Sequence, residues 1–149
     1  FQNQIIFVYD SVELIAKLIE GQYPNYRQII PESFQTKAIL NAGELQKVIK
    51  TTSLFATGLN DIQLKVSPAS SSLTVSALNS QTGEQKANIG GDLTGIENEV
   101  TLNYRYLLDF LGAIDSQEVE FKMIDGNTAC ILVPKDNKDY LYVVMPIKR

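Results

Sequence analysis

Few side chains in this sequence are placed to do bond-making chemistry. The 149 residues include no histidine, which removes Ser-His-Asp and Cys-His catalysis and every imidazole metal site. The single cysteine, Cys130, lies in the apolar run ACILV. That setting describes a buried, inert thiol, and one thiolate can neither hold zinc nor form an internal disulfide. Gly90, Gly91 and Gly95 do not fit G-x-G-x-x-G, and G-x-x-x-x-G-K-S/T is absent, so no phosphate-cradling loop is expected. Two carboxylate pairs, Asp136 with Asp139 and Glu97 with Glu99, have the spacing for acid–base work. Such pairs are more often solvated turn residues, and nothing in the sequence marks these as buried or perturbed. The expectation is no catalytic residue, no metal and no cofactor.

Composition places the chain among ordinary globular domains, with 44% hydrophobic and 20% charged residues and length enough to bury a core. A net charge of -4 argues against a protein that coats nucleic acid, so any such contact must be local. No run approaches the roughly 18 apolar residues of a membrane span, and the start, FQNQIIFVYD, lacks a basic leader region. Beginning at Phe1 inside a strand-like run, the chain reads as a piece of a longer polypeptide.

The elements that must position any site follow in order. QIIFVY (4–9) and VELIAKLI (12–19) flank the turn pair Asp10-Ser11 and read as a hairpin. Its apolar face and sheet edges are expected to be exposed unless something covers them. Then comes LIEGQYPNYRQIIP (18–31), where Gly21, Pro24 and Pro31 interrupt helix and central strand alike. Tyr23, Tyr26, Ile29 and Ile30 make it an unusually apolar hinge. TKAIL (36–40) predicts a strand, and Asn41 with Glu44 is a capping-box pattern opening a helix over 42–55. Leu45, Val48, Ile49 and Thr52 form its apolar stripe, with Gln46, Lys47, Lys50 and Thr51 opposite. Strands follow around Ile62–Val66, Leu73–Ala77 and Gln85–Ile89, punctuated by Gly58, Asn60, the Ser-rich 67–72 and Thr82-Gly83.

The pattern then recurs. Val100–Asn103 echoes Ala38–Asn41 at an offset of 62, and Leu107, Phe110, Leu111 and Ile114 repeat the first stripe at that offset. Val119, Phe121 and Met123 repeat Ile62, Leu64 and Val66 at an offset of 57, and strands over 128–133 and 140–147 close the half. A duplicated strand, helix, three-strand unit predicts an α+β fold, two helices on antiparallel sheets of about eight strands. Each helix keeps a polar face for solvent or a ligand.

Three stretches carry a resemblance. L-I-E-G-x-Y/F-P-x-Y-R followed by I-I-P, LNYRYLLDFL (102–111) and YLYVVMPIK (140–148) resemble, in order and spacing, motifs of the bacterial sliding clamp, the DNA polymerase III beta subunit. The resemblance covers essentially the whole chain. It implies a DNA-clamp domain over 34–149, an interdomain connector over 21–33, and over 1–20 the closing hairpin of a preceding domain. It also implies a non-catalytic, cytoplasmic processivity subunit whose full-length form closes a homodimeric ring around double-stranded DNA without reading its sequence. Partners dock through short hydrophobic motifs: the polymerase catalytic subunit, the clamp loader and repair proteins.

Carried over by position, the peptide cleft comprises Pro24, Ile29, Asn103, Tyr106, Val143, Val144, Met145, Pro146 and Ile147. Val, Ile, Met and Pro suit a floor that desolvates a Leu or Phe anchor, with Asn103 and Tyr106 as polar handles. Pro146 also requires its strand to lie at an edge or leave the sheet. The DNA-facing residues are Lys47, Lys50 and Arg105, and the ring contact is Leu54 with Phe55, of which at least one should be exposed. Gln28 departs from an arginine common in clamps, and the chain ends Lys148-Arg149. With the second-domain part of the cleft missing, weaker peptide binding than that of a full subunit is expected. The alternatives are a small carboxylate-based α+β enzyme, which needs a deep pocket with paired acids, and a stand-alone peptide-binding module unrelated to DNA.

Overall fold

The computed structural model describes residues 3–23 and 25–148. β1 (Gln4–Tyr9) and β2 (Val12–Lys17) form a hairpin closed by Asp10 and Ser11. Asp10 has φ 51°, the left-handed conformation that two-residue hairpin turns demand. Almost every residue of the hairpin is exposed, Phe7 and Val8 included. The hinge holds one short 3₁₀ turn, Tyr26–Ile29, which buries nothing.

The remaining elements are β3 (Thr36–Asn41), α1 (Ala42–Thr52), β4 (Asp61–Ser67), β5 (Ser72–Asn79), β6 (Gly83–Gly95), β7 (Asn98–Asn103), α2 (Tyr104–Gly112), β8 (Glu118–Met123), β9 (Cys130–Pro134) and β10 (Tyr142–Val144). Eight strands make one antiparallel layer in the order β10-β9-β8-β3-β6-β5-β4-β7. The duplication sets this order. β3 pairs with β8 and β7 with β4, so the first strand of each unit pairs with the strand that follows the other unit's helix.

Both helices start the same way. The Asn41 and Asn103 side chains accept from the backbone N–H of Glu44 and Arg105, each at 2.9 Å, answering donors that a helix start leaves open. α1 ends at Thr52 and tightens into a 3₁₀ turn over Ser53–Phe55. Leu45 and Ile49 on α1 are buried with Leu107, Phe110 and Leu111 on α2, while Val48 and Ile114 are half-buried beside them. The helices pack against each other on the layer. Each such side chain removed from water contributes about 1.5–3 kcal/mol before entropy is counted.

Two strands differ from the expectation. β6 runs thirteen residues rather than 85–89, straight through Gly90 and Gly91. Its first part pairs with β5 and its last with β3, and Gly90 and Gly91 lie where the one strand passes between these partners. At its end Gly95 has φ 97°, and a Cβ there would lie 1.9 Å from the Gln35 carbonyl oxygen, an approach only glycine permits. The closing strand over 140–147 shrinks to Tyr142–Val144. Pro146 has no N–H to give, and β10 sits at the layer's edge, as that proline requires. β9 begins at Cys130 rather than 128 because Thr128 belongs to a turn, its N–H and hydroxyl both donating to Asp125.

Two predictions follow from the core. The Thr52 side chain is buried and its hydroxyl has no hydrogen-bond partner among the described residues. Thr52→Val keeps the shape and removes the stranded hydroxyl, so chemical denaturation should show a gain of about 1 kcal/mol. Cys130 is fully buried, and burial, helped by the Asp125 carboxylate, pushes its thiol up to about 12. The thiol should stay unreacted with an aromatic disulfide reagent at pH 8 and react stoichiometrically once the chain unfolds.

Candidate docking site and nucleic-acid face

The carboxyl-terminal tail is built from the inside outward. Val144 is 3% exposed and anchors the end of β10 in the core, where it cannot touch a ligand. Val143 is half-buried, and the chain then leaves the ladder, turning Met145 out to 54% exposure with Pro146 and Ile147 half-buried. Three residues beyond Val144 the tail reaches β7, at the other end of the strand order, where the Ile147 N–H donates to the Thr101 carbonyl at 2.9 Å, so the sheet curls until its two end strands lie near each other. One residue run therefore touches both edge strands, β10 and β7.

That bond brings the tail to the start of α2. Asn103 lies two residues beyond Thr101; its side-chain oxygen is committed to the Arg105 N–H, so it is a helix cap before it is a polar handle. Tyr106 is 53% exposed. Phe110 below it stacks with Tyr140 at 5.9 Å and lies 5.3 Å from Tyr142. Burial chiefly, then the Asp109 carboxylate, raises the Tyr142 phenol above its ordinary value; Phe110, one helical turn from Tyr106, brings that part of α2 against the strand carrying Val143. The structure thus gathers Asn103, Tyr106, Val143, Met145, Pro146 and Ile147 into one region. Ile29 is half-exposed on the hinge turn, and no described hydrogen bond or ring contact joins it to the tail. Pro24 lies outside the described residues.

Sequence reasoning missed the far wall of this region. A hollow of about 350 Å³ runs along β7, lined by Glu99, Thr101, Gly126, Asn127, Ile147 and Lys148 among others. Its turn is fixed by Asp125, whose carboxylate accepts from the Asn127 and Thr128 N–H groups and is held below its usual range by them. The D-G-N triplet announces a turn; only the pairing of β7 reveals what it faces.

Lys47 and Lys50 on α1 and Arg105 in the first turn of α2 are exposed. None joins the ion pairs of the described residues, Lys65–Glu97, Lys122–Glu120 and Lys135–Glu118. The neighbouring helices thus present three uncommitted cations. At the other end of α1, Leu54 is 74% exposed and Phe55 half-buried. Leu78, also exposed, lies close by, because the Asn79 amide donates to the Ala56 carbonyl at 3.2 Å. Beside them, the first part of β6 pairs only with β5 and leaves its other edge open among the described strands.

Two carboxylates in or beside the candidate acid pairs are held by lysines. Lys65 bonds to Glu97 and holds its carboxyl below the usual range, the reverse of a raised general acid. The polar hollow of about 490 Å³ at Asp115, Ser116 and Asp136 contains Glu118 already paired to Lys135 at 2.8 Å. No group of three candidate metal ligands occurs among the described residues.

Comparison with known proteins agrees with this geometry. The family described as DNA polymerase III beta subunit, C-terminal domain, matches residues 27–148. The beta sliding clamp of Staphylococcus epidermidis is 29% identical over 147 residues, which span 98% of this chain and 39% of that protein. The solved structure of the Pseudomonas aeruginosa DNA polymerase sliding clamp with ligand aligns with TM-score 0.91 at 26% identity, covering 100% of this chain and 40% of that one. A Pseudomonas aeruginosa DnaN sliding clamp bound to griselimycin aligns with TM-score 0.89 at 26% identity, over 99% and 40% of the two chains. The chain therefore spans about two-fifths of the length of the relatives it matches. By its duplicated fold and by the match over nearly all its residues, the chain belongs to the DNA polymerase III beta subunit family and corresponds to the C-terminal domain.

Proposed function

We propose that this chain is the docking and DNA-facing portion of a bacterial sliding clamp, a non-catalytic, cytoplasmic subunit that keeps a polymerase on DNA by encircling the duplex. The observation that carries the reading is the tail: an exposed Met145 followed by Pro146, outside the sheet and beside Asn103 and Tyr106. A core strand has no use for an exposed methionine. An adaptable apolar floor with polar neighbours suits a short hydrophobic motif. Polymerase, clamp loader and repair proteins are the proposed bearers of such motifs, and the relative bound to griselimycin supports a ligand site on this fold.

In this reading residues 34–149 are the clamp domain, 21–33 the connector, and 1–20 the closing hairpin of a preceding domain, whose other strands would cover its exposed face. Lys47, Lys50 and Arg105 face the hole and attract phosphates through a sequence-independent electrostatic term, which suits sliding. Enclosure provides processivity, so strong DNA affinity is not needed and the net charge of -4 is no obstacle. Leu54 and Phe55, with Leu78 and the open edge of β6, are the ring contact with a second subunit. Ile29 and Pro24 belong to the hinge side of the cleft, which the preceding domain completes.

The test is fluorescence polarisation with a labelled short peptide bearing Leu and Phe anchors, competed with griselimycin. Saturable binding is expected, strengthened when the preceding domain is restored and reduced at least about tenfold in the Met145→Ala, Pro146→Ala double variant. Absence of binding with the preceding domain restored would return the tail to an ordinary chain end.

A further inference from the structure

The tail carries the proposed docking surface, yet little of the tail holds itself in place: β10 is three residues long and Met145–Lys148 have no ladder. Its position is set by a seam between β7 and the turn that joins β8 to β9, and two contacts of that seam lie away from the tail. The Asn98 amide donates to the Ile124 carbonyl at 2.7 Å and to the Thr36 hydroxyl at 3.3 Å, fixing the start of the turn to the start of β7. Gly126 then lies so close to β7 that a Cβ there would stand 2.6 Å from the Glu99 carbonyl oxygen. The third contact is the tail's own, from the Ile147 N–H to Thr101, two residues along the same strand. β9 leads directly from this turn and pairs with β10. A turn displaced from β7 therefore carries the far wall of the hollow with it and pulls on the strand from which the tail departs.

Resting on the docking reading above, we propose that Asn98 and Gly126 are positioning residues for the docking surface: without touching the docked peptide, they hold the β8–β9 turn against β7 so that the tail is clasped with Met145 presented. A side chain at Gly126 meets a backbone oxygen, which cannot swing aside, so the turn must retreat. Removing the Asn98 amide frees the Ile124 carbonyl and lets the same turn drift. Both changes act on the tail through the seam; Asn98 lies outside the hollow, and Gly126→Ala adds only a methyl group to its wall.

The test compares Gly126→Ala and Asn98→Ala with Gly112→Ala, a control at the end of α2 where a Cβ would meet nothing within 4 Å. The first readout is hydrogen exchange at the Ile147 amide, expected about tenfold faster in the two seam variants and unchanged in the control. The second is the methyl carbon signal of Met145. The chain has only two methionines, and the other, Met123, is fully buried and reports whether the core remains intact. The third is affinity for the labelled peptide with the preceding domain restored, expected to fall about fivefold in both seam variants. Should Gly126→Ala fail to fold, Asn98→Ala decides. Seam variants that keep the Met123 signal but also keep wild-type Ile147 exchange and peptide affinity overturn the proposal. Faster exchange with unchanged affinity likewise overturns it, because the seam would then serve the fold alone. No binding by the unmodified protein with the preceding domain restored defeats the docking reading instead, and the exchange result still separates the two failures.

Discussion

Exchange of strands between two copies of one unit is the constraint on which the rest of this structure depends. β3 can complete its pairing only with β8, and β7 only with β4, so neither copy folds into a finished sheet by itself. β6 joins the halves by giving one stretch to β5 and the next to β3. Burying the stripes of α1 and α2 against this one layer leaves both polar helix faces on the opposite side. The side that carries Lys47, Lys50 and Arg105 thus exists because the hydrophobic stripes have nowhere else to go.

The same constraint places the tail proposed for docking. A layer that begins at β10 and ends at β7 has two edges, and the tail runs from one to the other. An edge strand can lose residues to a proline without leaving core groups unpaired, so the tail is free to carry exposed apolar side chains where a central strand is not. Asn103 serves both ends of this arrangement, closing β7 and capping α2. The hairpin β1–β2 stands apart from this logic. Its apolar residues are exposed on both faces, and a two-stranded hairpin is marginal alone.

Much of this was legible in the sequence because it rests on periodicity. The offset of 62 between Asn41 and Asn103 survives as two helix caps of the same kind, and the stripes repeat as buried faces. Pro146 announced the edge position of β10. What the sequence hid depends on pairing over long distances. The alternation ends at Ile89, yet β6 continues through Gly90 and Gly91, where it changes partner. Val144 reads like its neighbours in YVVMPI, but its side faces the core. Thr101, Gly126 and Asn127 line the hollow beside the tail only because β7 is an edge strand, a fact no local pattern contains.

In the proposed reading the exposed helix cations attract DNA and the tail offers an adaptable apolar surface, and the two meet at the start of α2, where Arg105 lies between Asn103 and Tyr106. The most direct measurement of that account is a methyl-resolved NMR titration of this chain, joined to its preceding domain, with griselimycin. Perturbations gathered at Met145, Val143, Ile147 and Ile29, with Met123 and Leu54 unmoved, are the predicted result. Perturbations centred on Leu54 and α1, or none at the tail at saturating ligand, would contradict the account.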